Sequence, residues 1–221
     1  MLLALVGMAR ADEPAVTILA DFEDSSVAPA ISETHNVLAS ACRASRATIP
    51  ARGQGSLGIE ISATEPNAVV STELTFREAT RFAQADRLGA YCWINQGTAE
   101  LALRIRDANE QIFELPAQAV RAPYRWVHLQ FELQAAQLKP LRGQGSVAYP
   151  IELAGLRVAV PQTGRQTVFI DDLQVEHRVP PQELVQTTFA FDQTTHLYEP
   201  GATVQAAVML ENRSRSKALA I

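Results

Sequence analysis

The run Thr167–Glu176, TVFIDDLQVE, leads strand-forming residues straight into two carboxylates with no turn residue between them. Val168, Phe169 and Ile170 are β-branched or aromatic, the side chains that suit a pleated, half-buried surface. Asp171 and Asp172 are costly to bury unpaired, so a cation, an arginine or a set of backbone N–H donors must compensate them. A second acidic cluster, Asp21, Glu23 and Asp24, ends the apolar run Val16–Asp24. Paired carboxylates invite a glycosidase reading, in which two acids flank a scissile bond. Adjacent strand residues point to opposite faces, so Asp171 and Asp172 are not expected to share a substrate, and the pair reads as structural. His35, His128, His177 and His196 are scattered without metal-ligand spacing. No G-x-S-x-G, H-E-x-x-H or Walker pattern accompanies them.

The elements that must position these acids are strands. Leu57, Ile59 and Ile61 alternate with Gly58, Glu60 and Ser62, the period of a half-buried strand. Ala68–Phe76 is a further strand candidate. Over 88–95, Leu88, Ala90, Cys92 and Ile94 oppose Gly89, Tyr91, Trp93 and Asn95. Leu101, Leu103 and Ile105 oppose Ala102, Arg104 and Arg106, while Val127, Leu129, Phe131 and Leu133 oppose Trp126, His128, Gln130 and Glu132. Each of these three segments therefore has an aliphatic face, expected in the core, and a mixed aromatic and polar face. Leu156, Val158 and Val160 supply one more strand, and the turn-rich stretch 25–56 shows no sustained period. About eight strands and few helices predict an all-β antiparallel sandwich over 16–178.

The doubled proline of 179–183 reads as a linker, and 184–221 as the incomplete start of a second β-domain, so further domains of a longer chain are expected. Residues 1–11 pair an apolar run with Ala9-Arg10-Ala11, a small-x-small site, and read as an export signal for a secreted or periplasmic protein; the short apolar run without a basic n-region leaves a disordered N-terminus as the alternative. No later run is long and apolar enough to span a bilayer. With 24 acidic against 19 basic residues, net charge −5, the chain has no electrostatic footprint for nucleic acid. Cys42 and Cys92 could form one disulfide in an exported chain or remain two thiols; their separation carries no spacing signature.

The order DFED, GQGSLGIEI, an aromatic-bearing strand, LALRIRD, YRWVHLQFEL, ELAGLRVAV and TVFIDDLQVE resembles the galactose-binding-domain-like jelly rolls. These include carbohydrate-binding modules of secreted glycoside hydrolases, and YEPGATVQAAVMLEN is similar to the opening of the immunoglobulin-like domains that follow such modules. The resemblance implies a structural calcium ion tying the first strand to the last through Glu23 and Asp172 or Asp171, with loop carbonyls completing an oxygen shell. Pairing of the acids with an arginine or with loop N–H groups is the alternative.

The resemblance also implies a polysaccharide or glycan as partner. Sugars are bound by aromatic stacking and fixed hydrogen-bonding groups. Tyr91, Trp93, Arg104, Arg106, Trp126 and His128 would supply both on one outward face if their three strands are neighbours. A site in the edge loops would instead use Asn95, Gln96 or residues 140–147. The expected role is a non-catalytic carbohydrate-binding module. The alternatives are an accessory part of a glycoside hydrolase whose catalytic domain lies elsewhere, a structural or protein-binding sandwich with Trp93 and Trp126 buried, and, last, a self-contained hydrolase.

Overall fold

The computed structural model of the chain describes residues 13–23, 26–77, 81–83, 85–143, 146–179, 185–191 and 206–212. The expected export signal over 1–11 and all but the first residue of the expected linker lie outside them. Strands dominate: β1 (Glu13–Ala20), β2 (Val27–His35), β3 (Cys42–Ala47), β4 (Ser56–Ala63), β5 (Ala68–Phe76), β6 (Arg87–Ile94), β7 (Ala99–Arg106) and β8 (Ile112–Glu114). They continue with β9 (Gln118–Val120), β10 (Val127–Glu132), β11 (Lys139–Arg142), β12 (Glu152–Val160), β13 (Gly164–Val179), β14 (Val185–Phe191) and β15 (Ala206–Asn212).

Residues Val16–His177 form one compact unit. One sheet runs β10-β6-β13-β4-β3, with β1 also paired to β13; the other runs β11-β8-β7-β12-β5-β2, with β9 also paired to β7. The two pack as an antiparallel jelly-roll sandwich. The aliphatic parities meet between the sheets: Leu57, Ile59, Ile61, Leu88, Ala90, Cys92 and Ile94 line the inner face of the first, and Leu101, Leu103, Ile105, Leu156 and Val158 that of the second, all essentially inaccessible. Burial of each such side chain contributes about 1.5–3 kcal/mol, which is what drives period-2 sequences to close on one another. In the remainder of the chain, β14 and β15 form a separate two-stranded antiparallel sheet, Val185 opposite Asn212.

Two strands, β2 and β3, arise in the stretch that shows no period. Both are sheet edges, and β2 is mostly exposed or half-buried along VAPAISETH, so burial imposes little alternation on it. Its Pro29 is tolerated because an edge strand needs hydrogen bonds on one side only.

Candidate functional site

The first and last long strands of the sandwich meet at one loop, Pro50–Gly55. Glu23 Oε1 accepts hydrogen bonds from the main-chain N–H of Gln54 (2.6 Å) and Gly55 (3.3 Å). Gly53 suits this position: its φ of +67° is strained for a residue with a side chain, and a Cβ there would sit 1.8 Å from that carboxylate oxygen and displace it. Asp171 Oδ2 accepts from Ala51 N (2.8 Å) and Arg52 N (3.1 Å), and Asp172 Oδ2 lies 3.5 Å from Arg52 Nε. Arg46 donates to the carbonyls of Phe22 (2.6 Å) and Glu23, fixing the end of the DFE turn.

The expectation that strand alternation separates Asp171 from Asp172 fails, because the pairing of β13 with β6 is irregular between Asp171 and Gln174. Asp172 is the extra residue, with φ +45°, so both carboxylates reach the same loop. Burial pushes the carboxyls of Asp171 and Asp172 above their ordinary range. For Asp171 the N–H donors from Arg52, Asp172 and Ala51 oppose that rise; for Asp172 the charge of Asp171 adds to it and Arg52 opposes it. Gly53–Gly58 spells G-x-G-x-x-G, but it leads from a loop into β4 and not from a strand into a helix, so it offers no helix N-terminus for a phosphate.

The outer face of the same sheet carries aromatic groups. Register sets His128 of β10 opposite Tyr91 of β6, and their rings pack at 4.7 Å between centroids, tilted by 31°. On its ring face Tyr91 also carries the Arg52 guanidinium at 5.1 Å, and its hydroxyl accepts from Arg52 Nη2 at 2.9 Å. Tyr91 is thus braced by an imidazole ring and a guanidinium group. Two residues along β6, Trp93 packs against Phe169 of β13 (5.1 Å) and meets Tyr124 edge-on (5.9 Å, 77°). Tyr124 is 71% exposed, held at φ +61° by its N–H donating to Ile94 O. Trp126, one residue before β10, continues the outward parity next to Trp93, and both tryptophans are half-buried.

Arg104 and Arg106 do not join this face. Their strand, β7, belongs to the second sheet, so their side chains project from the opposite side of the sandwich. There Glu114 Oε2 accepts from Arg104 Nε and Glu114 Oε1 from Arg157 Nε, both at 3.0 Å. Glu152 accepts from Arg106 Nη1 (2.9 Å) and Arg81 Nε (3.1 Å). Alternation specifies which parity faces outward but not which sheet receives the strand, and the chain crosses between sheets at the Asn95–Thr98 turn. The edge amides are structural as well: Asn95 accepts from Thr167 N, and Gln96 donates to Arg165 O.

The structure brings together Tyr91, Trp93, Trp126 and His128, and adds Arg52, Tyr124, Phe169 and Gln174. Arg52 and Tyr124 come from loops, where period-2 reasoning has no purchase. Phe169 and Gln174 sit in β13, whose outward parity across the bulge is legible only once its neighbours are known.

No protein-family model and no curated protein sequence matches the chain. Solved structures do. The chain is similar to the solution structure of the carbohydrate-binding module CtCBM11, at 8% identity and a TM-score of 0.50, covering 80% of this chain and 99% of that one. It is also similar to the family 11 carbohydrate-binding module of the cellulosomal cellulase Lic26A-Cel5E of Clostridium thermocellum, at 7% identity and a TM-score of 0.44, covering 73% and 94%. A family 29 module in complex with mannohexaose matches at 11% identity and a TM-score of 0.40, covering 74% and 92%. The sandwich of this chain is therefore similar in fold to the jelly rolls of carbohydrate-binding modules.

Proposed function

We propose that the outer face of the sheet β10-β6-β13-β4-β3 binds a polysaccharide without cleaving it. The observation that carries this reading is the meeting of Trp93, Tyr124, Tyr91 and His128 on one outward sheet face beside fixed polar groups. Exposed Tyr124 and half-buried Trp93 supply apolar ring surface for sugar C–H groups, while Arg52 and His128 supply hydrogen bonding around the hydroxyls. Affinity electrophoresis against soluble glucans, mannans, xylans and galactans tests it. Trp93→Ala should weaken retardation about tenfold, the equivalent of losing one aromatic contact; unchanged retardation would overturn the assignment of this face.

The same proposal includes a structural calcium ion held by Glu23 with Asp172 or Asp171. One feature supports it: hard carboxylate oxygens from both ends of the domain, those of Glu23 and Asp171, reach one loop. Against it, Glu23 and Asp171 already accept main-chain N–H groups, Asp172 faces Arg52, and among the described residues no three His, Cys, Asp or Glu side chains are grouped to hold a metal ion. Binding at 100 times its dissociation constant would stabilise the fold by about 2.7 kcal/mol. The thermal midpoint should rise in millimolar calcium and fall in chelator, and a chelator-insensitive midpoint sinks the ion. Export of the mature chain, and its service as accessory module to a glycoside hydrolase, complete the proposal; a periplasmic or extracellular product beginning at Asp12 would support the first.

A further inference from the structure

His128 is held by more than its ring contact with Tyr91. Gln174 Nε2 lies 2.8 Å from His128 Nε2 and 3.3 Å from Glu176 Oε1. A carboxylate oxygen only accepts, so the atom between these two groups is the amide nitrogen, and turning the amide over would set a carbonyl oxygen against the Glu176 carboxylate. The nitrogen has two hydrogens, one for each neighbour. His128 Nε2 therefore accepts, and a neutral imidazole that accepts at Nε2 carries its proton on Nδ1.

The arrangement is built into the sheet. Gln174 is buried and lies across Gly89, where a Cβ would come within 2.6 Å of its Nε2 and 3.0 Å of His128 Nε2. Glu176 is in turn 3.7 Å from Arg87 Nε, which also approaches Glu132 at 3.7 Å. The groups around His128 are thus Tyr91 and Arg87 on β6, Asp171, Gln174 and Glu176 on β13, Gln130 and Glu132 on its own strand, and Arg52 beyond Tyr91. His128 itself is exposed, and among the described residues its Nδ1 has no hydrogen-bond partner.

We propose that His128 is a specificity-determining donor of the glycan face, its Nδ1–H locked outward by the positioning residue Gln174 to meet an acceptor oxygen of the sugar. This rests on the glycan reading of the sheet face. Long-range 1H–15N correlation spectra of the wild-type protein at neutral pH should show protonated Nδ1 and bare Nε2 at His128; the opposite tautomer overturns the inference without any ligand. With the polysaccharide that retards the wild type, His128→Asn keeps an amide nitrogen near the Nδ1 position and should hold most of the affinity. His128→Gln places its amide near Nε2 instead and should lose about tenfold. Equal losses in the two variants overturn the inference alone, whereas failure of every polysaccharide to retard the wild type overturns the glycan reading and the inference with it.

Discussion

Asp172 shows how a single backbone irregularity reassigns a side chain. Within a regular strand it would point away from Asp171; as the extra residue of a bulge it shares the Pro50–Gly55 loop with it. Burial raises its carboxyl above the ordinary 3.8, with Asp171 adding to the rise. A native carboxyl raised in this way holds its proton more tightly than the unfolded chain. Its contribution to stability is therefore full below the unfolded value and is lost as pH rises through the native one. In chelator, the wild-type thermal midpoint should gain on that of Asp172→Asn as pH is lowered from 7 toward 4. Asp172→Asn should melt no lower than wild type at pH 7. A marked loss of stability at pH 7 would show instead that the carboxylate is needed in its charged form.

At the scale of the element, β6 and β7 are consecutive, similar in pattern, and different in role. Both alternate apolar with mixed residues, yet β6 sends Tyr91 and Trp93 to the aromatic face, while β7 sends Arg104 and Arg106 to a carboxylate network. Glu114 is buried and receives two guanidinium donors at 3.0 Å. Arg104→Ala leaves one of its oxygens unsupported and should lower unfolding free energy by about 1.5–3 kcal/mol in denaturant titration. Polysaccharide retardation should be unchanged, because the network lies on the other side of the sandwich. A loss of retardation with intact stability would return Arg104 to the ligand site.

For the molecule as a whole, the closure of the sandwich settles the two thiols. Cys92 lies on β6 and Cys42 on β3, with β13 and β4 between them. Three strand steps of about 4.8 Å far exceed the Cα separation a disulfide tolerates. Both are free. Burial pushes the Cys92 thiol up to about 12, and Cys42, half-buried, is raised for the same reason. Thiolate reagents at pH 8 should label Cys42 slowly and leave Cys92 untouched until the protein unfolds, a difference that mass spectrometry of labelled peptides measures. Labelling of Cys92 at the same rate under native conditions would mean that the sheets open locally around β6.

Much of this was written in local pattern. Period-2 alternation in 57–63, 88–94, 101–105 and 127–131 specified the core faces, since a strand that buries one face must keep its apolar residues on that parity. That the distant acids of DFED and TVFIDD share one site was implied by the resemblance to the jelly rolls; burial by itself says only that each carboxylate needs compensation. What local pattern does not contain is partnership. That β10 and β13 flank β6 while β7 crosses to the other sheet, that a bulge turns Asp172 toward Arg52, and that Tyr124 and Arg52 reach the aromatic face from loops all depend on contacts between residues far apart in sequence. Alternation has only two states, inside and outside, so by itself it determined the sandwich and its outward residues. Strand order and register, which only the tertiary structure decides, selected which of them stand side by side.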